Sequence, residues 1–282
     1  MSQTKHEIEA LLASAGTQPR HRFGQNFMID RNVVRLVADA GEIAAGDCVI
    51  EVGPGTGTLT EELLDRGAHV VAVEIDRDLA ELLRGRLAER SNFTLIEGDA
   101  LAGKHQLNGE LAGQIQSAHA QHRAVRLVAN LPYNIASPLV IELLLAGADL
   151  LAFTVQREVA ARLRAGAGDE AYGPLSVMAQ MLAEVELLRT IGPQVFWPAP
   201  SVESALVRMR RHNRLGKEAA DFGRVVHAVF SYRRKTLRKA LSEAGCNAEV
   251  VLGESGFDGR RRPEEFSPGE FLLLYQAARP RP

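Results

Sequence analysis

Two hydrophobic periods alternate along most of the chain. Short apolar runs at Cys48–Val52, His69–Glu74, Phe93–Ile96, Val125–Ala129 and Leu150–Val155 read as strands. Between them, Leu59–Leu64, Leu79–Leu87 and Pro138–Leu145 carry apolar residues at helical spacing. This alternation predicts βαβ units, and therefore a mostly parallel sheet covered by helices on both faces. Ahead of the first strand, Val33–Ala40 is periodic and Asp30 stands where an N-cap belongs. Val185–Ile191 and Ala205–Met209 read as two later strands, and Met1–Arg20 as a short polar arm.

Two stretches break the rhythm. Lys104–Arg123, with Gln, His, Asn and Gly, predicts a surface excursion containing some helix. From about His212 the period becomes helical, at Val225–Phe230, Leu237–Leu241, Val250–Leu252 and Phe271–Ala278. A boundary is expected at His212–Gly216, separating residues 1–212 from a helical segment 213–282. A chain of 282 residues suits one large and one small domain.

Composition changes the picture little, but charge distribution changes it more. The net charge of −2 says nothing about partners. Arg208–Lys239, however, holds eleven Lys and Arg against Glu218 and Asp221, so it carries +9 and leaves −11 for the rest. That asymmetry predicts a basic face on an acidic body. Cys48 and Cys246 lie far apart and lack neighbours at zinc spacing, so free thiols and no metal site are expected. No secretory leader is visible, and the apolar stretch Leu139–Val155 is interrupted by Glu142 and Asp149. These features suggest a soluble cytoplasmic protein, with nothing pointing beyond a monomer.

Four candidate site elements follow four successive strands. The first is Glu51-Val52-Gly53-Pro54-Gly55-Thr56-Gly57. Its glycines allow a tight turn and close approach of backbone N–H groups to a ligand. A dinucleotide fingerprint needs a third glycine where Thr58 or Thr60 stands, so a nicotinamide enzyme fits poorly. The second is Glu74, placed like a ribose-binding acid; Asp76 is better suited to cap the next helix. The third is Asp99 in Gly98-Asp99-Ala100, able to accept from an adenine amine. Each of these also occurs as an ordinary turn or strand-end acid.

The fourth, Asn130-Leu131-Pro132-Tyr133, narrows the chemistry. An adenine amine is a weak nucleophile because its lone pair is delocalised into the ring. The Asn130 side-chain carbonyl and the Leu131 backbone carbonyl are placed to accept its two N–H bonds and draw the nitrogen toward tetrahedral geometry. Pro132 fixes the backbone between them, and Tyr133 offers a ring for the base to stack on.

Together these elements resemble the bacterial small-subunit (16S) ribosomal RNA adenine dimethyltransferase family. The resemblance runs from about Arg22 to Ala278. It rests on Arg22-Phe23-Gly24-Gln25-Asn26-Phe27, the glycine loop, Asn130-Leu131-Pro132-Tyr133-Asn134, Ala171–Val177, Phe196–Pro200 and Arg233–Arg238. It implies an α/β, Rossmann-like class I methyltransferase sheet with helices on both faces, plus a small all-helical C-terminal domain. It implies S-adenosylmethionine as cofactor, held by Asn26, Met28, Gly53, Gly55, Glu74, Asp99 and Asn130. Met28, often Leu in the family, is expected to give only a backbone contact. Asn130, Leu131, Pro132 and Tyr133 would form the catalytic element.

The implied partner is 16S ribosomal RNA in an immature small subunit, with two methyls added to each of two adjacent adenosines near the 3′ end. Arg233, Arg234, Lys235, Arg238 and Lys239 are the expected RNA contacts, with several on one helix face. Phe196–Pro200 is open to two readings, a wedge beside a flipped base or a core anchor. A large-subunit enzyme of the erythromycin-resistance type, and a non-catalytic ribosome-assembly or nucleic-acid-binding factor, remain as alternatives.

Overall fold

The computed structural model describes residues 3–20, 23–103 and 105–279. Arg22 of the first motif and Lys104 at the start of the excursion lie outside them. The central sheet comprises β1 (Cys48–Val52), β2 (His69–Glu74), β3 (Phe93–Glu97), β4 (Val125–Asn130), β5 (Leu150–Gln156), β6 (Ala183–Ile191) and β7 (Ser204–Arg211). Their order is β3-β2-β1-β4-β5-β7-β6. The pairs among β3, β2, β1, β4 and β5 are parallel, whereas β5 and β7 run antiparallel. Every residue of β1 is buried, as a central strand covered on both faces requires. Strand order reverses between β1 and β4, which opens a crevice at their C-terminal ends.

The helices are α1 (Lys5–Ser14), α2 (Arg31–Ala40), α3 (Thr58–Asp65), α4 (Arg77–Arg86), α5 (Gly109–Ala120), α6 (Ala136–Leu145), α7 (Arg157–Arg164), α8 (Pro174–Leu182), α9 (Ala219–Phe230), α10 (Leu237–Glu243), α11 (Ala248–Ser255) and α12 (Pro268–Ala278). Asp30 caps α2 by accepting from Asn32 and Val33 N–H, and Asp76 caps α4 through Asp78. The excursion is a short hairpin followed by α5, whose cap Asn108 also donates to the Asp99 carbonyl at 3.1 Å. No helix among the described residues is long and apolar enough to cross a membrane.

Three helices escape the hydrophobic pattern. The polar arm contains α1, which opens with a reciprocal Thr4–Glu7 capping box and buries Ile8 and Leu12. Helix α7 is short and half charged, its buried face reduced to Ala160 and Leu163, and α8 is buried over most of its length and so shows no two-sided stripe. Pro174 at its first turn was the available signal for α8.

Packing divides the chain into two compact units. The first runs to Ala160 and adds Glu186–Arg211; the second joins Ala161–Val185 to the chain from His212 onward. The single cut expected near 212 therefore misses a segment from mid-chain. Its reason is local to the second unit, where buried Tyr172 donates to the Phe266 carbonyl at 2.7 Å and meets Phe230 edge-on. Helices α9 to α12 make up most of that unit.

Candidate active site

The crevice between the sheet and residues 23–28 is a pocket fed by four strand ends. After β1, Gly53 and Gly55 turn at φ of +73° and +61°. A Cβ on Gly53 would lie 3.1 Å from Pro132 Cγ, and one on Gly55 would lie 2.9 Å from Phe27 Cε1. Side chains at either point would fill space that the fold keeps clear, beyond straining the turn.

At the end of β2, Glu74 is 3% exposed and accepts the N–H of Gly55 at 3.2 Å and of Asp76 at 2.9 Å. Burial pushes its carboxyl up to about 7, partly offset by those two N–H groups. Glu51, on β1, lines the same pocket, and its buried Oε2 has no hydrogen-bond partner among the described residues. Burial raises it to about 8; nearby Glu74 adds to the rise, while Thr60 opposes it. After β3, Asp99 accepts from Leu101 N–H at 3.0 Å. At the end of β4, Asn130 Nδ2 donates to the Asn26 carbonyl at 2.8 Å.

The N-terminal arm supplies much of the opposite wall. Phe27–Met28 pairs antiparallel with Phe196–Trp197, which fixes residues 26 and 28 beside the pocket. Phe196 is buried in the core and Trp197 stacks on Phe27 at 6.4 Å, so this loop anchors the arm. Arg20 and Gln25 both donate to buried Asp76, at 2.7 and 2.9 Å. Gln3 clasps Thr56 through its backbone carbonyl and hydroxyl. Sequence patterning missed these clasps because each joins residues fifty or more positions apart; only the helical capping box was visible locally.

The structure thus gathers Asn26, Met28, Gly53, Gly55, Glu74, Asp99, Asn130 and Pro132 around one pocket. Leu131 and Tyr133 are not in its lining. Leu131 is buried, its N–H donating to the Thr154 carbonyl at 3.2 Å, and the Tyr133 hydroxyl lies 2.9 Å from Ser204 Oγ. Arg233, Arg234 and Lys235 belong to the second unit and precede α10 in a turn, so they do not share its face as expected. Thr236 N-caps α10 with an extended backbone (φ −62°, ψ 153°), which keeps the three cations outside the helix. Arg238 and Lys239 lie on α10, ion-paired with Glu249 and Glu243.

This strand order, with a crevice at its switch point and acids at the ends of β2 and β3, is that of a class I methyltransferase. The chain belongs to the ribosomal RNA adenine dimethylase family, whose model matches residues 16–278. It is 41% identical over 260 residues to the ribosomal RNA small subunit methyltransferase A of Pseudomonas fluorescens, covering 90% of this chain and 91% of that protein. It is 38% identical over 273 residues to the protein of that name from Moorella thermoacetica, covering 94% of each. Among solved structures, the 23S rRNA methyltransferase ErmE matches with a TM-score of 0.64 and 26% identity, over 90% of this chain and 99% of that one. A dimethyladenosine transferase from Plasmodium falciparum shares the fold, with a TM-score of 0.67 and 21% identity over 88% and 95% of the two chains.

The buried carboxyls carry a pH signature. A carboxyl raised from 4.5 to about 8 stabilises the fold below its unfolded value and loses that contribution as pH rises through the folded one. Glu51→Gln removes the loss. In calorimetric melts, the variant should gain on the parent protein progressively between about pH 5 and 8. A constant difference across that window would contradict the assignment.

Proposed function

We propose that this chain transfers methyl groups from S-adenosylmethionine to the exocyclic amines of two adjacent adenosines near the 3′ end of 16S ribosomal RNA, two on each. The observation that carries this reading is the Asn130 amide, fixed at the rim of a pocket whose remaining walls suit a nucleoside. The relatives' names support the small-subunit substrate and, with it, the bacterial cytoplasm as the place of action.

The pocket residues fit the cofactor. Glu74 keeps lone pairs for two ribose hydroxyls after taking its two N–H groups. Asp99 can accept from an adenine amine. Gly53 and Gly55 let the backbone close over the ligand, and Asn26 and Met28 contribute main-chain contacts. The unpartnered Glu51 Oε2 offers one further polar contact, direct or through water. When bound, the cofactor supplies a methyl group on a sulfonium centre.

The chain's part is to make the adenine nitrogen a better nucleophile and hold it in line. Asn130 Oδ1 and the Leu131 carbonyl accept its two N–H bonds, which frees the lone pair for attack. Pro132 restricts the backbone between these acceptors. Tyr133 stacks on the base, a contact worth about 1–3 kcal/mol. The amine proton leaves to water after the new C–N bond forms, so no general base is required beforehand.

For RNA, Arg233, Arg234 and Lys235 are the stronger candidates of the basic segment. Among the described residues, the Arg233 guanidinium meets the Glu170 carbonyl and none of the three cations is within an ion pair, whereas Arg238 and Lys239 are already engaged. Phosphates can therefore be neutralised without first breaking a salt bridge. The likeness to ErmE keeps large-subunit RNA as the second reading.

Mass-spectrometric counting of methyl groups decides between the substrates. With under-methylated small subunits, two methyls should appear on each of two adjacent adenosines. Methylation confined to large subunits supplied in parallel would transfer the assignment, and RNA binding without methylation would favour an assembly factor.

Replacing Arg233, Arg234 and Lys235 by Ala should lower the slope of log K against log salt by roughly 2–3, as three phosphate contacts are lost. An unchanged slope would mean that the RNA lies elsewhere.

A further inference from the structure

Two buried hydroxyls stand directly behind the Asn-Leu-Pro-Tyr element. Thr154 on β5 is the cross-strand partner of Asn130 on β4, and its Oγ1 lies 2.5 Å from Asn130 Oδ1. Ser204 on β7, the strand antiparallel to β5, has its Oγ 2.9 Å from the Tyr133 hydroxyl. Both residues are fully buried. Polar groups in such positions carry a desolvation cost that their bonds must offset, so each bond resists breaking.

The hydrogen-bond chemistry leaves one orientation for the Asn130 amide. The Asn26 carbonyl can only accept, so it must face the amide nitrogen, as it does at 2.8 Å. Oδ1 then faces Thr154, whose hydroxyl donates to it. A carbonyl oxygen has two lone pairs, and one remains for an incoming N–H. Were the amide turned over, its oxygen would face the Asn26 carbonyl, acceptor against acceptor, and its NH2 would face the target amine, donor against donor. Threonine suits this task because its branched Cβ leaves little χ1 freedom in a strand.

We infer that Thr154 and Ser204 are positioning residues for methyl transfer, the first fixing the Asn130 acceptor and the second fixing the Tyr133 ring. The inference rests on the methyltransferase reading above and adds two residues to it. Both are fully buried behind the element and outside the pocket lining, so they act through Asn130 and Tyr133 rather than on cofactor or substrate. A displacement of the acceptor of about 1 Å can cost on the order of a hundredfold in rate. Loss of the Thr154 hydroxyl should leave cofactor and RNA binding intact, whereas loss of the Ser204 hydroxyl loosens the ring on which the base stacks.

The test compares Thr154→Val, which keeps the shape and removes the hydroxyl, with Thr154→Ser, which keeps the hydroxyl. Methyl transfer to small subunits is followed with cofactor Kd and RNA KM measured separately. Thr154→Val should lose about tenfold or more in kcat, with both binding constants within about twofold, and Thr154→Ser should recover most of the rate. Ser204→Ala provides the independent arm should Thr154→Val fail to fold: RNA KM should rise several-fold as the ring loosens. Full kcat in Thr154→Val, equal losses in Val and Ser, or a Ser204→Ala variant indistinguishable from the parent would each overturn the inference. A parent protein that methylates no adenosine would instead overturn the underlying reading.

Discussion

The site depends on one side-chain amide held at both ends. Asn130 closes β4, and its nitrogen is tied to the Asn26 carbonyl on the N-terminal arm while its oxygen meets Thr154 on β5. That arrangement brings a segment more than a hundred residues upstream against the sheet and gives the pocket its second wall. It also fixes which atom of the amide can face a substrate. The glycine loop matters for the same reason, since a Cβ on Gly53 would press on Pro132, the next residue but one after Asn130.

A second constraint is electrostatic. Two carboxyls, Glu51 and Glu74, share the buried floor, and both are raised by burial. Glu74 is compensated by backbone N–H groups from Gly55 and Asp76, whereas Glu51 keeps an oxygen without a partner. A fold that tolerates such a cost usually does so where a ligand must be met. Asp76, by contrast, is satisfied by Arg20, Gln25 and the start of α4, and so acts as a clamp on the arm.

Much of this was legible in the sequence. Strands β1 and β2 match their apolar runs residue for residue, because central parallel strands leave no alternation to misread. Glu74, Asp99, the glycines and Asn130 were legible because each stands at or just past a strand end, where crevices form, whereas Glu51 within β1 was not singled out. What stayed hidden depends on distant contacts. The arm looked polar because α1 buries only Ile8 and Leu12 of its ten residues. Residues 161–185 looked like part of the first unit until Tyr172 found Phe266. Thr154 and Ser204 sit in strands that read as ordinary sheet, and only register reveals what they face. The basic run was placed on a helix face by its spacing, but its first three cations fall in a turn before α10.

The most direct test of the account is single-turnover methyl transfer by Asn130→Ala, with RNA affinity measured on the same preparation. Removing the amide takes away an acceptor used in the reaction itself. Transfer should fall by about a hundredfold or more, with RNA affinity nearly unchanged. A variant that binds RNA and turns over at the parent rate would contradict it.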